Sequence, residues 1–119
     1  MTTIALAAVL TLCPRLHAVE AAEVADAIVA ACEGPVAEPS GERCVRVVAA
    51  LARVESRCNL YATSGRQKGA LQVDAPPKCF GNARIGRGVC LPPHELWGPS
   101  GVYHGATVLR WKWAYGGGL

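Results

Sequence analysis

No run of Lys or Arg occurs anywhere in the 119 residues, and the formal net charge is only +3. That lack excludes a dedicated nucleic-acid surface, which needs clustered cations, although a mild positive balance suits attraction to an anionic polymer. There is no Cys-x-x-Cys pair and the three His are scattered, so the spacing of a structural zinc site is missing and no metal or other cofactor is expected. No apolar stretch reaches the ~20 residues that a membrane-spanning helix requires. Internal repeats and low-complexity linkers are absent as well, which leaves no sign of a repeat array or of a tethered second unit.

What is present is enough for one globular domain over residues 1–119. Hydrophobic residues make up 51% and charged residues 18%, so the apolar surface suffices to offset ordering entropy. Six Cys are dense for this length, and the even count predicts three disulfides, formed in an oxidising compartment or on a particle surface. Six cysteines allow 15 connectivities. Cys44 and Cys58 cannot pair with each other if both lie on one helix, because ~1.5 Å of rise per residue would set them roughly 20 Å apart. Cys79 and Cys90 are the best pair by proximity, closing a Gly-rich loop.

Two readings of the N-terminus stand side by side. The apolar run from Thr2 to Leu12, followed by Val19-Glu20-Ala21, has the small-residue look of a signal-peptidase site. Against cleavage, no Lys or Arg precedes the run, and removal of the first 21 residues would take Cys13 and leave five cysteines.

The chain is expected to be mainly α, with long loops that could wall a cleft. Helices are predicted over residues 3–12, stopped by Pro14; over 18–32, ended by Gly34 and Pro35; over 41–57, with Ser40 as cap; and over 102–115, before Gly116, Gly117 and Gly118. The stretch from Asn59 to Ser100 is rich in Gly and Pro and reads as loop. Strand signal is confined to a short piece near residues 70–73.

The third helix carries the most informative pattern. Cys44, Val47, Val48, Leu51 and Cys58 recur at helical spacing and define one apolar face, while Arg43, Arg46, Arg53 and Arg57 gather opposite. Glu55 lies four, seven and eleven residues from Leu51, Val48 and Cys44, so it falls on the apolar side. A buried carboxylate resists ionisation, which is what a general acid working near neutral pH needs. The plainer alternative is a glutamate at a frayed helix end, facing solvent or pairing with Arg57.

The residues from Glu55 onward read Glu55-Ser56-Arg57-Cys58-Asn59-Leu60-Tyr61-Ala62-Thr63-Ser64-Gly65, then Lys68-Gly69-Ala70-Leu71-Gln72-Val73-Asp74. This order resembles the soluble lytic transglycosylases and goose-type lysozymes. In that family a Glu-Ser pair ends a helix, an Asn-x-x-Ala-x-Ser segment follows, and a Gly-Leu-Met-Gln stretch comes next. Val73-Asp74 after the Gln is closer to the goose-type lysozymes. A second block, Leu96-Trp97-Gly98-Pro99 followed by Val102, Gly105, Ala106, Leu109, Arg110 and Trp111, resembles the family's later helix, and Tyr115-Gly116-Gly117 resembles the turn after it. The two blocks span residues 43–118 in the same order.

The resemblance implies a lysozyme-like helical domain that cleaves the β-1,4 bond between N-acetylmuramic acid and N-acetylglucosamine. Glu55 would be the acid that protonates the glycosidic oxygen. Asp74 would hold the attacking water if the outcome is hydrolysis; attack by the muramoyl C6 hydroxyl would instead give a 1,6-anhydro end. Ser56, Ser64 and Gln72 would bind Glu55 or the acetamido groups of the substrate, and Tyr103 would stack on a sugar ring, against plainer roles in capping, bracing or core packing. Asp74 also reads simply as a turn residue before Ala75-Pro76-Pro77. His94 and His104 read as structural or solvated. The expected partners are peptidoglycan strands and a virion or cell-envelope protein, and the expected location is the envelope, the periplasm or a virion. Nucleic acid and a membrane span are not expected.

The sequence departs from the family in several places. Cys58 stands for a usual Phe, Gly101 for a common Asn, and the segment 76–93 with its two Cys is unusual. The family pattern continues beyond the Gly-Gly turn into an Ala-Tyr-Asn-x-Gly helix that lines the sugar cleft, and residues 1–119 do not contain it. The competing reading is therefore a disulfide-stapled wall-binding or virion module that keeps the scaffold without turnover.

Overall fold

The computed structural model describes residues 1–34, 39–65, 67–74, 80–82, 87–89 and 96–115, of which 74, 80–82, 87–89 and 115 are described by their backbone. The fold is mainly helical, with α1 (Thr2–Leu12), α2 (Ala18–Cys32), α3 (Gly41–Ser56) and α4 (Gly98–Tyr115). Pro14 comes just after the Cys13 C-cap of α1, where it cannot continue the helix. His17 caps α2: its Nδ1 accepts the Glu20 backbone N–H at 3.3 Å, and its Nε2 lies 3.2 Å from the Glu20 carboxylate. Ser40 does occupy the N-cap position of α3, but its hydroxyl makes no capping hydrogen bond. Helix α4 begins at Gly98, four residues before the expected Val102, because Pro99 in the first turn sits where a missing N–H costs nothing.

The helices pack through small residues. Helix α2 packs most extensively on α4, and α1 covers both α2 and α3. Val9, Val24, Ile28, Val45, Val48 and Val102 are fully buried, interleaved with buried Ala5, Ala21, Ala25, Ala49, Ala52 and Ala106. Alanine at these contacts lets helix axes approach toward the short end of the usual 8–10 Å range. Helix α1 is thus part of the packed body, with Ala5 and Val9 wholly covered.

Among the described residues, one cation lies inside this apolar body. Arg110 of α4 is only 3% exposed. Its Nε donates to the Pro39 carbonyl at 2.7 Å, and its Nη1 donates to the Ala31 carbonyl at 2.6 Å and the Gly34 carbonyl at 3.4 Å. The last carbonyls of a helix have no partner within it, so the guanidinium closes the end of α2 and complements its dipole.

Two disulfides staple the helices. Cys13 after α1 bonds Cys58 after α3, and Cys32 at the end of α2 bonds Cys44 in the first turn of α3. Cys44 and Cys58 thus each bond away from α3, and the expected Cys79–Cys90 pair lies outside the described residues. Two such bonds fit an oxidising setting. Among the described residues, no helix is long and apolar enough to cross a membrane.

Between α3 and α4 the chain forms short strands: β1 (Thr63–Ser64), β2 (Gln67–Lys68) and β3 (Val73–Asp74) make one antiparallel sheet, and β4 (Phe80–Asn82) pairs with β5 (Arg87–Val89). The β piece expected near residues 70–73 is therefore displaced, since residues 69–72 form the turn joining β2 to β3 and only Val73 is in a strand.

Candidate functional site

Helix α3 ends in a tight reversal. Arg57 and Cys58 both take left-handed backbone conformations, with φ of 55° and 60°. The Arg57 N–H donates to the Arg53 carbonyl at 2.8 Å and the Cys58 N–H to the Ala52 carbonyl at 2.9 Å, which satisfies the helix end. Left-handed geometry is costly for residues with a Cβ, of the order of 1–2 kcal/mol each, and it persists where the surroundings enforce it. Here the surroundings are the buried Cys58 sulfur and the segment that follows.

Ser56 joins this reversal to the sheet. Its hydroxyl lies 2.7 Å from the Ala70 carbonyl and 3.2 Å from the Ala52 carbonyl, and it accepts the Asn59 N–H at 3.1 Å. A hydroxyl has one proton to donate, and the shorter contact assigns it to Ala70. The Asn59 side chain accepts the Tyr61 N–H at 3.0 Å, forming a local turn.

The Ala70 carbonyl belongs to the 69–72 turn. Gly69 has φ of 81°, and a Cβ there would stand 1.9 Å from the Leu96 carbonyl oxygen, so only glycine fits. Gln72 is left-handed too (φ 49°), and both its backbone N–H (3.0 Å) and its side-chain Nε2 (2.9 Å) donate to the Gly69 carbonyl. Leu71 and Val73 are buried against Gly105 of α4, where an added Cβ would meet Leu71 Cδ1 at 3.1 Å. The Gly98 N–H donates to the Leu60 carbonyl at 2.9 Å and Trp97 Nε1 donates to the Ala62 carbonyl at 3.3 Å, which locks the start of α4 onto the same corner.

The structure thus brings Glu55, Ser56 and the Gln72 turn to one end of α3. Ser64 and Asp74 flank that turn in the sheet, since both are register partners of Gln67, one on each side. Ser64 is exposed. Tyr103 is on α4, 40% exposed, with its ring edge-on to His104 at 5.3 Å between centroids. Ser56 and Gln72 are both engaged in bracing contacts. One residue that the sequence reading passed over is Tyr61, which is 63% exposed and stands beside Gly98 at this corner. Its position inside the Asn59-to-Ser64 segment was the available signal.

Glu55 itself requires a correction. It is exposed, not on a dry face, and makes no hydrogen bond or ion pair among the described residues. The buried arc of α3 runs through Cys44, Val45, Val48, Ala49 and Ala52, with Val47 and Leu51 only half covered. At about 100° per residue Glu55 falls about 20° from both Cys44 and Val48, inside this arc, so its exposure comes from its place in the last turn of α3, where the helix runs past its covering neighbours. Valine and alanine are equally covered along the arc, and cover is lost only toward the end of the helix.

A shallow groove of about 430 Å³ between α1 and α3, whose lining includes Ile4, Ala8, Leu12 and Arg46, contains neither Glu55 nor Gln72. Among the described residues no group of His, Cys, Asp and Glu could hold a metal ion. Compared with protein-family models, curated proteins and solved structures, the chain matches none.

Proposed function

We propose that this chain is a small peptidoglycan-cleaving glycosidase or lyase of the lysozyme and lytic transglycosylase kind, acting on the muramic acid–glucosamine β-1,4 bond with Glu55 as general acid. The observation that carries this reading is the Ser56 hydroxyl bound to the Ala70 carbonyl at 2.7 Å. That contact fastens the Glu-Ser helix end to the Gly-to-Gln turn, joining two motifs of the first block on which the resemblance rests. Glu55 projects from the helix immediately before the fastened serine, on a surface that a polymer can reach. A glycan strand lying over it would exclude water from the reacting bond, as apo catalytic geometry commonly tightens in the complex.

In this mechanism Glu55 donates its proton to the glycosidic oxygen, the leaving sugar departs through an oxocarbenium-like state, and Glu55 then takes a proton from the attacking hydroxyl. That hydroxyl is the muramoyl C6 group in a lyase. In a hydrolase it is a water held by Asp74. Ser64, Gln72 and Tyr103 supply contacts to the strand, and Tyr61 adds an exposed ring on which a sugar can stack.

The solvent-facing Glu55 favours a second reading, a disulfide-stapled module that binds wall or a virion component without turnover. Turbidity clearing of purified wall by wild type and by Glu55→Gln decides between them. Enzymatic action requires a loss of the order of 100-fold or more in the variant, as for removal of a general acid, with stability unchanged to within about 0.5 kcal/mol because the side chain is an unpartnered surface group. Equal clearing by both proteins overturns the catalytic reading. Mass analysis of released muropeptides separates anhydro from reducing ends.

A further inference from the structure

The sulfur that anchors the reversal after α3 comes from the other end of the fold. Cys58, three residues beyond Glu55, is bonded to Cys13, and both are buried, at 4% and 2% exposure. Resting on the glycan-cleaving reading above, we propose that the Cys13–Cys58 disulfide is a positioning device for Glu55 and Ser56, and that breaking it with a thiol reductant switches the site off.

Arg57 and Cys58 hold consecutive left-handed conformations without being glycines, so their backbone needs an external constraint. The hydrogen bonds from their amides to Arg53 and Ala52 are of the kind that fray readily at helix ends. The covalent tie to Cys13 does not fray. It fixes Cys58 against α1, itself packed on α2 and α3. With Cys58 fixed, Asn59 is held where its N–H reaches the Ser56 hydroxyl, and that hydroxyl is held on the Ala70 carbonyl. If Cys58 is released, both left-handed residues can relax to ordinary conformations. That motion swings Asn59 off Ser56 and uncouples the last turn of α3, Glu55 included, from the turn that carries Gln72.

The second disulfide provides an internal contrast. Cys32–Cys44 sits at the opposite end of α3, and the eleven residues from Cys44 to Glu55 place it about 16 Å away along the axis. Its loss should lower stability without moving the site. The redox step is ordinary exchange: one thiolate of a dithiol attacks a sulfur of the Cys13–Cys58 bond and forms a mixed disulfide. The second thiol resolves this to a cyclic disulfide, while the two cysteines leave as thiolates and take up the dithiol's protons. Burial of both sulfurs makes opening of the helix end the gate to reduction.

The test uses the whole chain on soluble wall glycan, in the wild type and in the double variants Cys13→Ala/Cys58→Ala and Cys32→Ala/Cys44→Ala. The expected result for the first double variant is a drop in kcat of the order of 100-fold with KM little changed, as for a misplaced catalytic group, together with faster amide exchange at residues 56–59 than in α2. The second variant should melt earlier yet keep kcat well below its Tm. A third preparation, reduced and re-bridged with methylene thioether links, should stay active in dithiol that silences the native protein. This preparation serves even if the first variant fails to fold.

Equal activity of the two double variants overturns the proposal. So does amide exchange at residues 56–59 that is indifferent to loss of the bond, or dithiol inactivation of the methylene-bridged protein. If oxidised wild type clears no wall at all, the enzymatic reading fails, and the exchange comparison alone still judges the positioning role.

Discussion

Single residues at the corner beside Glu55 are constrained by backbone more than by side-chain chemistry. Gly69→Ala would drive a Cβ into the Leu96 carbonyl at a φ that L residues avoid, so it should destabilise the fold by at least ~2 kcal/mol in urea unfolding. Arg110→Met tests the buried cation. It strips donors from the Ala31, Gly34 and Pro39 carbonyls, and leaving buried acceptors unmade costs ~1–3 kcal/mol apiece at most; a loss of about 3 kcal/mol is expected by the same measurement. Neither effect was legible in the sequence. Gly69 and Arg110 stood out there only as members of a resemblance, since the clash with Leu96 and the carbonyls of α2 come from residues 27 and more positions away. Glu55 is the opposite case. Its place at the end of α3 was readable, but its exposure was not, because periodicity gives the side of the helix a residue lies on and not how far along that side the neighbouring helices reach.

At the scale of elements, the helices were the legible part. The expected bounds 18–32 match α2, which ends just before Gly34, and α1 ends at Leu12, ahead of Pro14. The caps were less legible: Ser40 has the expected type and makes no side-chain bond, whereas His17 performs the capping on α2. His17→Ala should therefore cost about 1 kcal/mol in thermal unfolding, and Ser40→Ala less than half of that. The short strands were hardest to read. Two-residue strands carry almost no periodicity, and the 69–72 turn between β2 and β3 borrows the apolar look of a strand because Leu71 is buried against α4.

For the molecule as a whole, composition foretold a mainly helical, disulfide-bearing fold with no membrane-crossing helix among the described residues. It could not say which helices the sulfurs join, since connectivity depends on how α1, α2 and α3 lie against one another. On the proposed reading, the net charge of +3 would make attraction to an anionic wall a property of the entire surface. Binding of Glu55→Gln protein to sedimented wall should accordingly weaken several-fold when salt is raised from about 0.05 M to 0.5 M, as the Debye length shrinks well below the spacing of exposed charges. Binding indifferent to salt would point to contacts of another kind.

The two sulfur bridges are nested, with 32–44 lying wholly inside the span closed by 13–58. A protease that nicks the backbone anywhere between Cys32 and Cys44 therefore releases nothing: the pieces remain joined through both bridges, and the particle gains only the mass of one water. Such a nick would pass unseen on a non-reducing gel and resolve into two bands once thiol is added.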